Sequence, residues 1–487
     1  MHITISDRLS GQYDAVIRFL QAGSPVHFSD PGLQQAYAAV FSGDALTLEH
    51  KQLRTLRLPL HGGFSNVILV GFDSSVRAPF DDFRAASAAV GSELNRLKAV
   101  HVAIDQLDCV SFAAEQVLAG QLACTLPLSE YCFDYYLSEK STHYSRTLTL
   151  LAAEACTEAV EEGLALAESI CTARDLVNEL ADVLTPEELA QRAIACGQRC
   201  GFSVKTLDKA ACETLGMGLF LAVAKGSPLP PRLIVMRWNG GASDEPPIGL
   251  VGKGITYDSG GLAIKTSSME SMRFDMNGAA AVIGAMCAIA RQKLPCNVVA
   301  VVAACENAVD GCSYRNGDVL RSMNGKTVFV QNTDAEGRLS MADAMTYCIR
   351  TFHPSALIEV AGLTGSVCSF FGSVCAAALT NTPAMFEKIH ALSSLTGEKY
   401  AAMPFYPEYR EQLRSPYADL NNAPKGGPGG ILAGFFLEAF CEQTPFLHVD
   451  FGTMPFTGKR SDGQPEGGTG FGVKTLYQYV RSHCKNS

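Results

Sequence analysis

The sequence predicts an α/β protein of two domains. A smaller N-terminal α/β domain, residues 1–150, is joined by a long helix to a larger α/β domain, residues 151–487 with that helix included. The larger domain is expected to hold a mixed, mostly parallel sheet covered by helices. Three observations predict this. Strand candidates in the second half are continuous apolar runs rather than alternating ones: IGLVG (248–252), VVAVVAA (298–304), TVFVQ (327–331), ALIEVAG (356–362) and FLHVDFG (446–452). Such strands are buried on both faces, which implies parallel pairing under helices. Helical patterns separate several of them, and polar residues begin where four of them end, which is where such sheets bind ligands.

In the first 150 residues, NVILVGF (66–72) and KAVHVAID (98–105) read as strands around the helical FRAASAAVGSELNRLKA. His101 and Asp105 share the second of these, a pair read as structural, and Tyr131, Phe133, Tyr135 and Tyr136 read as core or interface. Residues 152–178 carry a long amphipathic helical pattern. LTPEELA opens the next helix with Thr185 as N-cap, Pro186 at the first position and Glu188 closing a capping box. KGGPGG (425–430) is a loop before the helical ILAGFFLEAF, placed where it could border a site. No internal repeat or low-complexity tract interrupts the chain.

At 487 residues, 47% hydrophobic and 18% charged, the chain falls in the ordinary globular range. A net charge of −10 argues against nonspecific nucleic-acid binding, which needs a basic face. MHITISDRLSGQYDAV lacks the pattern of a secretory signal, no apolar stretch reaches membrane-spanning length, and a cytoplasmic location is expected. The seventeen cysteines are scattered, with no C-x-x-C pair and a closest spacing at Cys196 and Cys200. That pattern fits buried thiols in a reducing compartment, not a disulfide framework.

Chemistry concentrates in residues 253–338. VGKGITYDSGGLAIK and the following MRFDMNGAA supply Lys253, Asp258, Lys265 and Asp275, and NTDAEGRL supplies Asp334, Glu336 and Arg338. Four carboxylates in apolar, glycine-rich surroundings would repel unless cations stand between them. Hard oxygen donors in that number suit zinc, manganese or magnesium, and two ions bridged by shared carboxylates would form a hydrolytic centre. The bland alternative is a buried ion-pair network of Lys253, Asp258 and Asp275. No phosphate loop, dinucleotide fingerprint, G-x-S-x-G or H-E-x-x-H is present, and no histidine lies between 144 and 352. His448, on an apolar strand, reads as a satisfied core histidine.

These stretches resemble the leucine aminopeptidase (cytosol aminopeptidase) family. NTDAEGRL stands as its signature, GKGITYDSGG as a near-complete second one, and ARDLVNELADVLTPEELA, LGMGLFLAVAKGSPLPPRLI and YADLNNA as further matches across most of 170–456. The resemblance implies a two-metal aminopeptidase acting on peptides with a free N-terminus. Lys253, Asp258, Asp275 and Glu336 would hold the tighter ion, and Asp258, Asp334 and Glu336 the exchangeable one. Zinc and/or manganese would be the metals, with magnesium a further fit. Lys265 would touch the substrate carbonyl, and Arg338 would hold bicarbonate as general base. Met272, Asn332, Gly362, Thr364 and Gly365 would line the substrate pocket.

The resemblance also implies a homohexamer with central C-terminal domains and a variable N-terminal domain of oligomeric or regulatory role. Alternatives are a scaffold or DNA-binding protein, or a homologue that binds metal for structure alone. Departures from the family pattern fall at Ala263 and Thr266 beside Lys265, at Gly362 in place of threonine, and in the His448–Thr453 stretch. None of them is a metal ligand, so they bear on pocket shape.

Overall fold

The computed structural model describes the chain apart from residues 10, 42–45, 61–62, 108–109, 459–465 and 485–487. It divides into two compact units, residues 1–168 with 459–466, and residues 169–458 with 467–487. The division falls inside the helix Thr157–Asn178, further along the chain than the expected boundary near 150.

In the first unit a six-stranded sheet runs in the order His2–Ser6, Thr147–Leu151, His101–Ile104, Ala15–Gln21, Gly63–Phe72, Leu53–Leu60, antiparallel only at the last pair. The helix Pro79–Leu97 packs its apolar face, including Phe83, Val90 and Leu94, into the core of that sheet. Asp105 is fully buried and accepts hydrogen bonds from the backbone N–H of Ser29 and Asp30, while His101 is exposed and meets Thr147. Tyr131 is buried, but Tyr135 and Tyr136 face solvent.

In the second unit an eight-stranded mixed sheet has the order Tyr400–Ala402, Ala376–Thr380, Phe446–Asp450, Ala356–Ala361, Ile248–Asp258, Asn297–Asn307, Arg232–Asn239, Ser203–Leu207. The four central strands are mutually parallel. Their residues are buried almost throughout, as the uninterrupted apolar runs required.

Three local expectations are corrected. The strand at 248 continues through Lys253 to Asp258, because carboxylates neutralise the lysine within the sheet. TVFVQ does not join the main sheet: Thr327–Phe329 pairs with Val319–Arg321 and Leu420–Asn421 in a separate three-stranded sheet. Burial of Val328 and Val330 accounts for its apolar pattern. Thr185 caps its helix through the Glu188 N–H, but the Glu188 carboxylate pairs with Arg192, so the box stays half-closed.

The helix Asn277–Arg291 is buried from Asn277 to Ala290 and approaches the sheet very closely. A Cβ at Gly278 would stand 2.2 Å from the Val360 carbonyl and 2.7 Å from the Lys253 nitrogen. Both obstacles are backbone. Gly278→Ala should therefore cost about 1–3 kcal/mol by overpacking and lower Tm. Gly365→Ala, at an exposed position with nothing within 4 Å, should leave Tm nearly unchanged. Equal Tm values for both variants and the parent would show that the helix does not need this approach.

Candidate metal centre

Asp258 and Asn307 end two adjacent central strands in register, so their side chains meet at the C-terminal edge of the sheet. The Asn307 amide donates to Asp258 Oδ1 at 2.8 Å and to the Thr333 carbonyl at 3.0 Å. Gly260 N–H donates to the same Asp258 oxygen at 2.9 Å. The chain then turns through Gly260 and Gly261, both at positive φ, which glycine adopts without strain. Thr333 ties this loop to the second motif: its hydroxyl donates to the Gly260 carbonyl and accepts from Ala263 N–H, both at 2.8 Å.

Lys253 lies within its strand, 3% exposed, with its ammonium 2.6 Å from Asp275 and 2.9 Å from Glu336. A Cβ at Gly337 would stand 2.4 Å from Lys253 Cε, so a larger residue at the start of the helix Gly337–Phe352 would displace the end of the Lys253 side chain. Lys265 spans Asp258 at 2.8 Å and Asp334 at 2.5 Å. One carboxylate oxygen each from Asp258, Asp334 and Glu336 lies within 4.8 Å of the others, the one such trio among the described residues.

The structure thus brings together Lys253, Asp258, Lys265, Asp275, Asp334 and Glu336. Arg338, 6% exposed, follows on the same helix; its Nη1 donates to the Asn422 carbonyl at 2.6 Å, and its Nε has no hydrogen-bond partner. Met272 is half-buried on the segment Met269–Met276 that carries Asp275. Asn332 Oδ1 accepts from Asp334 N–H, Thr364 donates to Asp450 at 2.7 Å and caps its own helix, and Gly365 is exposed. Gly362 N–H donates to Asn277. The KGGPGG loop does approach this segment: a Cβ at Gly430 would touch Val367 and Thr364.

The electrostatics separate a cation site from a closed ion-pair network. Burial drives Asp258 up to about 6, with Glu336 adding to the rise and the two lysines opposing it. Burial also raises Asp275 well above its ordinary value and raises Asp334, despite their lysine partners. For Glu336 the lysines outweigh burial and its pKa falls. Burial works to lower Lys253 and Lys265, but the surrounding carboxylates win and hold both above the ordinary lysine value. Burial pulls Arg338 down to about 10. Four carboxylates facing two ammonium groups leave negative charge in excess, and Glu336 Oε2 is buried with no hydrogen-bond partner. That donor set fits divalent cations.

Asn422 is fully buried and was not singled out by its sequence context. Its Oδ1 accepts from the N–H of Gln331 and Asn332, and its Nδ2 donates to the carbonyls of Asn332 and Ala335. The side chain continues the short ladder of Phe329 and Asn421 into the turn that carries Asp334. Tyr314, whose hydroxyl donates to the Thr333 carbonyl at 2.6 Å, is a second such support. Neutral side chains holding backbone leave no spacing signature.

A carboxylate- and lysine-built cation site at the strand ends of a mixed α/β sheet defines a metal-dependent enzyme class. The model of the cytosol aminopeptidase family catalytic domain matches residues 171–477, and that of the family's N-terminal domain matches residues 21–140. A probable cytosol aminopeptidase of Clostridium perfringens is 40% identical over 431 residues, 86% of this chain and 87% of that one. One from Fusobacterium nucleatum is 42% identical over 355 residues, covering 72% and 74%. A solved structure of the bottromycin maturation enzyme BotP in complex with Mn superposes with a TM-score of 0.85 at 31% identity, over 97% of this chain and 99% of that one. The chain belongs to the cytosol aminopeptidase family, and family and acidic cluster together make it a metal-dependent aminopeptidase.

Asn422→Ala should leave four polar backbone groups of the turn that carries Asp334 without their partner. Metal affinity is expected to fall about 10–100-fold, measured by titrating metal back into chelated protein. Unchanged affinity would show that the turn holds Asp334 unaided.

Proposed function

We propose that the enzyme works with two divalent ions per subunit, zinc and/or manganese with magnesium a further fit, and activates water between them. Lys253, Asp258, Asp275 and Glu336 would hold one ion and Asp258, Asp334 and Glu336 the other. The observation that carries this reading is the convergence of the Asp258, Asp334 and Glu336 oxygens beside Lys253 and Asp275, with Glu336 Oε2 buried and unpartnered. When bound, such a pair of cations acidifies water towards hydroxide and polarises a carbonyl.

The chain's own groups supply the remainder. As a ligand Lys253 would have to be the neutral amine, giving up the proton that its carboxylates otherwise hold in place. Lys265 stays cationic between Asp258 and Asp334 and is positioned to stabilise a developing oxyanion. Arg338, anchored through Nη1 with Nε unpaired, offers a donor edge to bicarbonate acting as general base. The excess of carboxylates favours a substrate with a free α-amino group. Asn332 and Thr364 already spend their side chains on Asp334 and Asp450, so in the pocket with Met272, Gly362 and Gly365 they would meet substrate mainly through backbone.

We further infer a cytoplasmic homohexamer, in line with the family resemblance, with residues 1–150 in an oligomeric or regulatory role and 151–487 carrying catalysis. No helix among the described residues is long and apolar enough to cross a membrane.

The test is hydrolysis of a dipeptide panel, free and N-acetylated, by chelated enzyme before and after restoring Mn or Zn. Metal-dependent cleavage of the free-amine peptides alone is expected, with two metal equivalents taken up per chain. Equal cleavage of acetylated peptides, or no turnover with any metal, would overturn the reading. Lys265→Ala should lower kcat by about 10²–10³. A loss confined to KM would remove Lys265 from its oxyanion role.

A further inference from the structure

Outside the metal centre, one side-chain cluster joins nucleophiles to cations. Cys196 and Cys200 lie one turn apart on the helix Pro186–Cys200, and Cys287 neighbours both from the helix Asn277–Arg291. Arg291 Nε donates to Cys200 Sγ at 3.4 Å, and Arg199 Nη2 to Cys196 Sγ at 3.6 Å. Cys287 and Cys196 are buried, at 1% and 5% exposure, whereas Cys200 is half-exposed. The three sulfurs do not converge as metal ligands would, since the one compact donor trio among the described residues is the carboxylate one. Pairwise sulfur chemistry is what remains.

We propose that this cluster is a thiol–disulfide exchange site, with Cys200 as the nucleophile towards low-molecular-weight disulfides and Cys287 as the resolving thiol. A thiolate at a helix C-terminus is disfavoured by the helix dipole, but here donors overrule it. The Cys287 thiol donating to Cys200, then Arg291 and Arg199, hold Cys200 down to about 5 against the opposing effect of burial. Cys196 is lowered in the same way, and Cys287, as donor to both, is raised.

In the first step the Cys200 thiolate attacks one sulfur of the external disulfide. A Cys200–ligand bond forms, the external S–S bond breaks, and one small thiolate leaves. In the second step Cys287 passes its proton to the neighbouring Cys196 thiolate and attacks Cys200 Sγ. The Cys200–Cys287 bond forms and the second small thiolate leaves. Two protein thiols are oxidised and one external disulfide is reduced to two thiols. The two guanidinium groups also favour an anionic reagent, so oxidised glutathione is the probe of choice.

The experiment uses metal-loaded full-length protein and reads sulfur chemistry directly, so its outcome is independent of peptidase activity. Reduced protein is pulse-labelled with iodoacetamide at pH 6 and the labelled cysteines are mapped by mass spectrometry. Cys200 should react about tenfold faster than the exposed Cys312, after allowance for the lower nucleophilicity of a low-pKa thiolate. Oxidised glutathione should then yield a Cys200–Cys287 cross-link in the parent, and a stable glutathione adduct on Cys200 in Cys287→Ser. Arg291→Met should remove the rate advantage. Labelling of Cys200 no faster than Cys312, a Cys196–Cys287 bond in place of the Cys200 one, or no cross-link in the parent would overturn the proposal. The parent measurements stand even where a variant fails to fold.

Discussion

Four carboxylates held within reach of one another in a nearly dry site set the terms for everything around them. Asp258 and Glu336 are 2% and 1% exposed and Asp275 and Asp334 are half-buried, so water screens the inner pair poorly and the group must find cations or take up protons. Burial pushes three of the four towards the protonated form, and Glu336 resists only because both lysines act on it. The lysines satisfy the charge in part. Their ammonium groups stand against the very oxygens that divalent ions would take, which explains why an ion-pair network and a metal site look alike in sequence. What separates the two is the surplus of donors, four carboxylates against two ammonium groups, with a buried Glu336 oxygen that has no hydrogen-bond partner.

Holding that surplus in place is the work of the backbone and of neutral amides. Parallel register brings Asp258 and Asn307 to the same edge, and Asn307 then links Asp258 to the turn at Thr333. Thr333 returns the connection to Gly260 and Ala263, so the two motifs brace each other. Asn422 does the same from the small sheet, using one side chain where a strand would use two residues. Glycine matters at the points of closest approach: Gly337 against the Lys253 stem, and Gly278 against the Lys253 backbone.

Much of this was legible in the sequence, for a physical reason. Charged residues in an apolar context are costly, so Lys253, Asp258, Asp275, Asp334 and Glu336 stood out, and uninterrupted apolar strands announced a covered sheet. Asn422 and Tyr314 stayed hidden because polar neutral residues are common anywhere and their partners are backbone groups distant in sequence. TVFVQ misled for a related reason: burial of Val328 and Val330 produces the same run in a three-stranded sheet as in an eight-stranded one. Glu188 had the right spacing for a capping box, but Arg192 one turn on offers a charged partner, and charge-assisted contacts are the stronger. The closeness of Cys196 and Cys200 was visible, whereas Cys287, from another helix, was not.

The sheet beneath the centre is polar as well. Glu359 is opposite Val251 in register, and alternation along the strand puts Glu359 and Lys253 on one face. Glu359 pairs with His448 on the next strand, both fully buried. Burial raises Glu359 and opposes His448, but each favours the charged form of the other, so one proton shared between them leaves the layer electrically quiet below Lys253. At the end of the His448 strand, Asp450 accepts from Leu363 N–H, the Thr364 hydroxyl and Gly452 N–H, fixing the segment that follows the Glu359 strand. Gly362 completes that segment. A Cβ there would stand 2.7 Å from the Asn277 amide nitrogen, while Asn277 accepts from Gly362 N–H and donates to the Phe274 carbonyl. The volume that a larger residue 362 would fill is therefore taken by Asn277, next to Asp275. Gly362 thus gives Asn277 the room to hold this segment beside the charged centre.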